Sequence, residues 1–541
     1  MNAFVAVAGS HEARPVLTIF AVFVVLTLLL SLLGTTSDGT DLSDFYVGRR
    51  RLSSAVNGIA LFGGYMSAAS MLGNPGQVSL SGYDGIAYVL APAITWVVVL
   101  MLVAEPYHST SRFTVGDTLA HRLRARPVHL AAGITTLFIS LPYLIAQLIG
   151  AGALAAPVLG YHTPTAQRGI VACLGLAMIL FVVLGGMRAT TVLQVVKAVL
   201  MLGVCLTLAL VVLWRLGWSP GNLLSLAARR SGFGEQFLRP GIRYDDGLGT
   251  LDLVSLQLAF LLGAAGLPHV LARITTVSTR PDARRSVQWM GLLNLGFVVL
   301  VVVNGLGATA LLGRAAVVSD ASSGNTAILL VAEQVGGPVL LTVISCVVFV
   351  TILAVVAGIT LTVACALAHD IYGAVIMRGR ASQQSELLVA RLAVVCVGLV
   401  VIVLSMYAQH VPISFLVSLS FAVAASAVLP AILFTLWWKR FTTRGALWSM
   451  YGGLATAMLL AVLSPAVSGE PHALLPDADF AVFPLHNPGL VSVPVGFFLG
   501  WLGSVLDRRE PGGADCTQTE IRALTGAAAG TETGSGAGQP A

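Results

Sequence analysis

Apolar runs long enough to cross a bilayer follow one another through almost the whole chain, and they leave few folds open. A membrane helix needs about 20 apolar residues. Thirteen such runs are read at 15–35, 53–77, 84–104, 128–157, 169–186, 190–213, 251–271, 286–312, 337–366, 388–408, 411–437, 445–465 and 488–506. Only 10% of the 541 residues are charged, against roughly 25% in soluble domains. The sequence therefore predicts an all-α polytopic membrane protein. The net charge of +6 does not point to nucleic acid, because the basic residues cluster between the runs. The six cysteines, Cys173, Cys205, Cys346, Cys365, Cys396 and Cys516, show neither a disulfide framework nor metal-ligand spacing, and are read as buried small hydrophobes. The first run follows His11, Glu12 and Arg14 with no basic leader, and is expected to be a retained helix.

Arginine and lysine set the expected orientation. They cluster at 49–51, 112–126, 273–285, 378–391, 439–444 and 508–509, after every odd-numbered run. That side is expected to be cytoplasmic, with the N-terminus outside and the C-terminus inside. The loop 214–250 breaks the pattern, but long loops weigh little in this rule. The expected divisions are 1–52, with the outer N-terminus, first helix and a cytoplasmic loop; 53–213, a first group of five helices; 214–250, an extracellular loop; 251–437, a second group of five; 438–509, two further helices; and 510–541, a disordered cytoplasmic tail. Segment 322–336 is too short to span and is read as an outer surface helix. Pro142 predicts a kink in the fourth run.

The second run contains Leu61–Gly76, LFGGYMSAASMLGNPG. Glycine costs about 1 kcal/mol and proline about 3 kcal/mol in a helix interior. A spanning segment accepts such residues where freed backbone groups line a cavity. The seventh run is interrupted in the same way by Gly263, Gly266 and Pro268. The two runs are five spans apart, and an odd offset forces opposite direction. Runs 2–6 and 7–11 can thus be inverted repeats, with the two broken helices forming a binding site.

Several strings carry a resemblance: DFYVGRR (44–50), YMSAASMLG (65–73), SGYDG (81–85), YLIAQLIGAG (143–152), LGGMRATT (184–191), GLPHVLAR (266–273), TILAVVAGITL (351–361) and AHDIYG (368–373). The chain resembles the sodium/solute symporter family up to about residue 510, and within it the acetate or short-monocarboxylate permeases. The resemblance implies a LeuT-like fold of two inverted five-helix repeats, and cation-coupled uptake of a small carboxylate across the plasma membrane by alternating access. It places sodium-site carbonyls on Gly63, Met66 and Thr351. The hydroxyl pair that other branches use falls on Ala354 and Val355, which have no side-chain oxygen, with Thr351, Ser67 and Thr360 as candidate substitutes. Gly64 stands where acetate permeases usually carry an aspartate. Sodium and proton both remain open as the coupling ion. Proline, pantothenate, pyruvate and propionate are alternative solutes, and a transporter-like sensor is a further reading.

A carboxylate is favoured by free N–H groups and by the positive end of a half-helix. The candidate substrate-binding residues are Gly64, Tyr65, Ser67, Ser70, Gln257, Gly263 and Gly266, with Gln147 a further candidate cavity residue. Lys197 is expected to snorkel toward the cytoplasmic face. His269 is read as capping carbonyls near the interface, with proton relay as the alternative. His369 and Asp370 are read as inner-gate or interface residues, and Trp96, Trp437 and Trp438 as interface anchors. No nucleophile–base set or phosphate loop is present, so no enzyme activity and no organic cofactor are expected.

Overall fold

The computed structural model describes residues 42–48, 52–158, 164–319, 324–409, 411, 413–470, 473–475 and 477–507. Run 15–35, and with it the count of thirteen and the N-terminal placement, lies outside these residues, as does the tail 510–541. The principal helices are α1 (Ser54–Tyr65), α2 (Asn74–Ser81), α3 (Tyr83–Val98), α4 (Ala125–Val158), α5 (Pro164–Arg215), α6 (Gly247–Gly263), α7 (Pro268–Ile274), α8 (Arg280–Leu312), α9 (Ala327–Cys365), α10 (Gln383–Tyr407), α11 (Ile413–Val423), α12 (Leu429–Trp437), α13 (Thr443–Val462) and α14 (Gly489–Val505). Among the described residues, nine helical segments are long and apolar enough to cross a membrane. The pair Ser54–Tyr65 and Ala69–Ser81, bent by 74°, makes a tenth.

Two spans form the centre. The segment containing α11 and α12 and the segment containing α9 are the most enclosed, with 89% and 78% of their apolar windows buried. Around them α3 with the π-helical stretch Val99–Val103 that continues it, α5 and α10 turn Leu90, Met101, Leu176, Leu180 and Leu399 outward, as lipid-facing surfaces require.

Both expected breaks are present, and they share one geometry. Helix α1 ends where Met66 turns extended, at φ −67° and ψ 120°. Helix α6 passes through a short 3-10 turn, Ala264–Gly266, and Leu267 turns extended at φ −69° and ψ 119° before Pro268 starts α7. One residue out of the helical region lets each span change direction and frees the carbonyls of the preceding turn.

The remaining expectations divide. Runs 169–186 and 190–213 are two helices joined within α5 by a turn at Gly186, φ 55°, where the sequence separates them; glycine takes this conformation without steric cost. Segment 322–336 is, from Ala327, a separate short helix that Gly337, φ 63°, turns away from the span that follows within α9; it packs inward through the buried Ile328, Leu329 and Val331 rather than lying on the surface. Helix α4 continues through Pro142. Cys205, Cys346 and Cys365 are buried, whereas Cys173 and Cys396 are exposed on α5 and α10.

Candidate functional site

A cavity of about 640 Å³ opens beside the first break. Tyr65, Met66, Ser67, Ala68 and Ser70 supply one wall, and Tyr143 and Gln147 of α4 another. Phe260 of α6, Asn294 and Phe297 of α8, and Phe421 of α11 complete it. The mouth carries Gln77, Arg243, Arg314 and Asn325. Among the described lining residues there are two arginines and no aspartate or glutamate.

Aromatic packing shapes the deep end. The rings of Tyr65, Tyr143 and Phe260 stand 6.1, 6.1 and 5.0 Å from that of Phe421, all edge-on. Trp96 packs edge-on against Tyr65 at 5.0 Å and is 2% exposed. It is therefore part of this wall's support, in correction of the interface-anchor reading. Trp437 is exposed at a helix end, where an anchor belongs.

Polar groups project from the break. The Ser67 amide donates to Ser70 Oγ at 3.5 Å and the Ser70 amide to Ser67 Oγ at 3.4 Å. These are long bonds, which a ligand oxygen can displace at little cost. Gln147 is 1% exposed, and neither its Oε1 nor its Nε2 has a partner. A buried unpaired amide costs about 1–3 kcal/mol, so this side chain has hydrogen-bonding capacity to offer at the cavity wall. Asn294 donates to Pro92 O at 2.8 Å and leaves its Oδ1 free.

The sequence-predicted residues divide. Tyr65, Ser67 and Ser70 line the cavity together. Gly64, Gln257, Gly263 and Gly266 do not. Gly64 packs against the Gln194 side chain. Gly263 and Gly266 let α6 and its 3-10 turn lie against the Phe421 and Ala424 carbonyls. Gln257 Nε2 donates to Ala87 O. These glycines shape the site through close packing.

Lys197 is the largest departure from expectation. It is fully buried, and its Nζ donates to Gly63 O at 2.6 Å and to Met66 O. It does not snorkel to an interface. The cause is the close approach of α5 to α1: a Cβ on Gly63 would collide with the Gln194 carbonyl, and Lys197 lies three residues further along the same face of α5. Thr351 Oγ1 is buried without a partner, and Ala354 and Val355 are buried. His269 Nε2 has no partner, and its ring tilts against Tyr143 at 5.6 Å. It caps no carbonyl through that atom.

The loop over the mouth is fixed by Asp84. Its carboxylate accepts from the amides of Gly241, Ile242 and Arg243 at 3.2, 2.9 and 2.8 Å. Arg243 in turn donates to Gln77 Oε1, and Arg314 Nε donates to Leu80 O at 3.0 Å. Sequence reading noted SGYDG as a string but assigned Asp84 no role.

A multi-span protein with two matched helix breaks around a polar cavity has the build of a membrane carrier. Residues 45–453 match the family described as the sodium:solute symporter family. The chain is 43% identical over 523 residues to the monocarboxylic acid transporter of Corynebacterium glutamicum, with 94% of each chain covered. It is 39% identical over 509 residues to an uncharacterized symporter of Bacillus subtilis, covering 94% of this chain and 98% of the other. A Na+-coupled sialic acid symporter in a substrate-bound outward-open state superposes with a TM-score of 0.69 at 12% identity, over 92% of this chain and 99% of that one. The chain belongs to the sodium:solute symporter family. It has the LeuT-type fold and is a cation-coupled membrane symporter, a transporter and no enzyme.

Proposed function

We propose that this symporter takes up acetate or a similar short monocarboxylate, driven by a gradient of sodium or protons. The observation that carries the reading is the cavity lining: two arginines at the mouth, hydroxyl and amide donors at the break, and no acidic side chain among the described residues. A positive mouth concentrates small anions, and the aromatic wall suits a short apolar tail. The relative named as a monocarboxylic acid transporter supports the same substrate class. Tyr65, Ser67, Ser70 and Gln147 would hold the substrate.

We further infer a plasma-membrane location with the C-terminus cytoplasmic, from the arginine-rich connections. Residues 53–213 and 251–437 would be the two halves whose relative movement alternates access. Reconstituted protein should accumulate radiolabelled acetate when one ion gradient is imposed. Accumulation indifferent to both gradients contradicts the reading. Competition should rank propionate and pyruvate above pantothenate and proline; the reverse order would move the protein to another solute.

A further inference from the structure

Family membership implies sodium, and the resemblance puts its ligands on Gly63, Met66 and Thr351. A hard cation needs a shell of oxygens. This chain does not offer one there. Two of the three carbonyls already accept from Lys197 Nζ. Ala354 and Val355 bring no side-chain oxygen, and Gly64 brings no carboxylate. Only Thr351 Oγ1 is left without a partner.

We propose that the ammonium of Lys197 is the permanent occupant of this cation site, and that sodium does not bind between α1 and α9. The physical need at this point is positive charge. Gly63 and Met66 present the carbonyls of an interrupted helix end, which carries partial negative charge and lacks partners of its own. A metal ion or an ammonium answers that need equally well. The ammonium brings three donors and arrives on a stem rooted in α5, at the level where Gly63 lets the two backbones touch. No described carboxylate pairs with it, so the carbonyls are its partners. Lys197 thereby ties α1 to α5 and leaves the mobile coupling cation to bind elsewhere.

The inference rests on the symport reading only for its transport arm. Its first test needs no substrate. Thermal unfolding of the purified protein is followed in sodium chloride and in choline chloride at equal ionic strength, for wild type and Lys197→Ser. Serine removes the ammonium and adds an oxygen. The variant is expected to gain a sodium-specific rise of a few degrees that wild type lacks. No gain in the variant, or a wild-type rise that the variant loses, overturns the proposal. Should Lys197→Ser fail to fold, Thr351→Val is made in the otherwise unchanged protein. An unaltered sodium dependence of acetate uptake then supports the proposal. A rise of about fivefold or more in half-saturating sodium overturns it. Failure of acetate uptake under every gradient strikes the substrate reading and leaves the thermal arm standing.

Discussion

Two buried polar regions of this protein are wired in opposite ways. At the first break a single cation, Lys197, is held by backbone carbonyls alone. At the end of α9, side chains pair with side chains. His129 Nδ1 meets Asp370 Oδ1 at 2.7 Å, and Thr114 Oγ1 donates to the same oxygen at 2.6 Å. His369 stands between Glu386 Oε1 at 2.8 Å and Asp117 Oδ1 at 3.0 Å. Asp117 Oδ2 also accepts from the amides of Phe113 and Thr114. This cluster joins α4, α10, the π-helical stretch Ala366–Ile376 and the short helix Val115–Ala120. Charges paired in this way fix elements to one another. A cation on carbonyls depends on a helix being broken, and its hold lasts only while the break keeps its shape. The contrast separates a junction held by side-chain charges from one held by a single charge on backbone.

The largest expected effect that would test this contrast comes from Lys197→Met. It leaves two carbonyls without their charged donor, at about 1.5 kcal/mol each. Uptake should fall on the order of 100-fold, read as initial rates in proteoliposomes. Asp370→Asn probes the other region. Breaking a buried pair costs about 3 kcal/mol, so the unfolding midpoint should drop by several degrees while substrate affinity in the surviving folded fraction is kept. A fall in uptake per folded molecule equal to that of the lysine variant would erase the distinction drawn here.

Gln147→Leu should raise the KM for acetate roughly tenfold, the worth of about one hydrogen bond. Its thermal stability should hold or rise, because an unpaired buried amide is removed. The smallest effect is a pH dependence. Burial pushes the Asp117 carboxyl up, but the hydrogen bonds and charge of His369, with the Thr114 and Phe113 amides, outweigh it and leave the group at about 2. A carboxyl held below its ordinary 3.8 stabilises the fold above that value and loses the contribution as pH falls through the lower one. Acid unfolding should therefore show a component between about pH 4 and 2 that Asp117→Asn removes.

Much of the fold was legible because membrane spans advertise themselves in composition, and because glycine and proline mark where a helix fails. The paired breaks at Met66 and Leu267 followed from local residues, as did the place of Tyr65, Ser67 and Ser70 at the cavity. What stayed hidden depends on how helices meet. Whether Lys197 points to lipid, to water or to Gly63 is decided by the register of α5 against α1, across 134 residues of chain. Gly64, Gly263 and Gly266 looked like cavity residues because glycine in a span signals both frayed backbone and tight packing, and the sequence does not separate the two. Trp96, in the middle of the span Tyr83–Thr110, was misplaced as an anchor although its position already favoured a wall. A clearer clue was available for Lys197: a lone lysine inside an apolar run needs an acceptor, and the interrupted turn at Gly63–Met66 was the one already recognised.

The lysine's covalent attachment has an electrical consequence. A charge rooted in the backbone is never delivered to the other side, so it adds nothing to the current carried over a full turnover. A lone carboxylate entering a cell with a negative interior works against about 2.3 kcal/mol per 100 mV. That work has to be offset by a cation that does travel, and the measured charge per acetate will count how many accompany it.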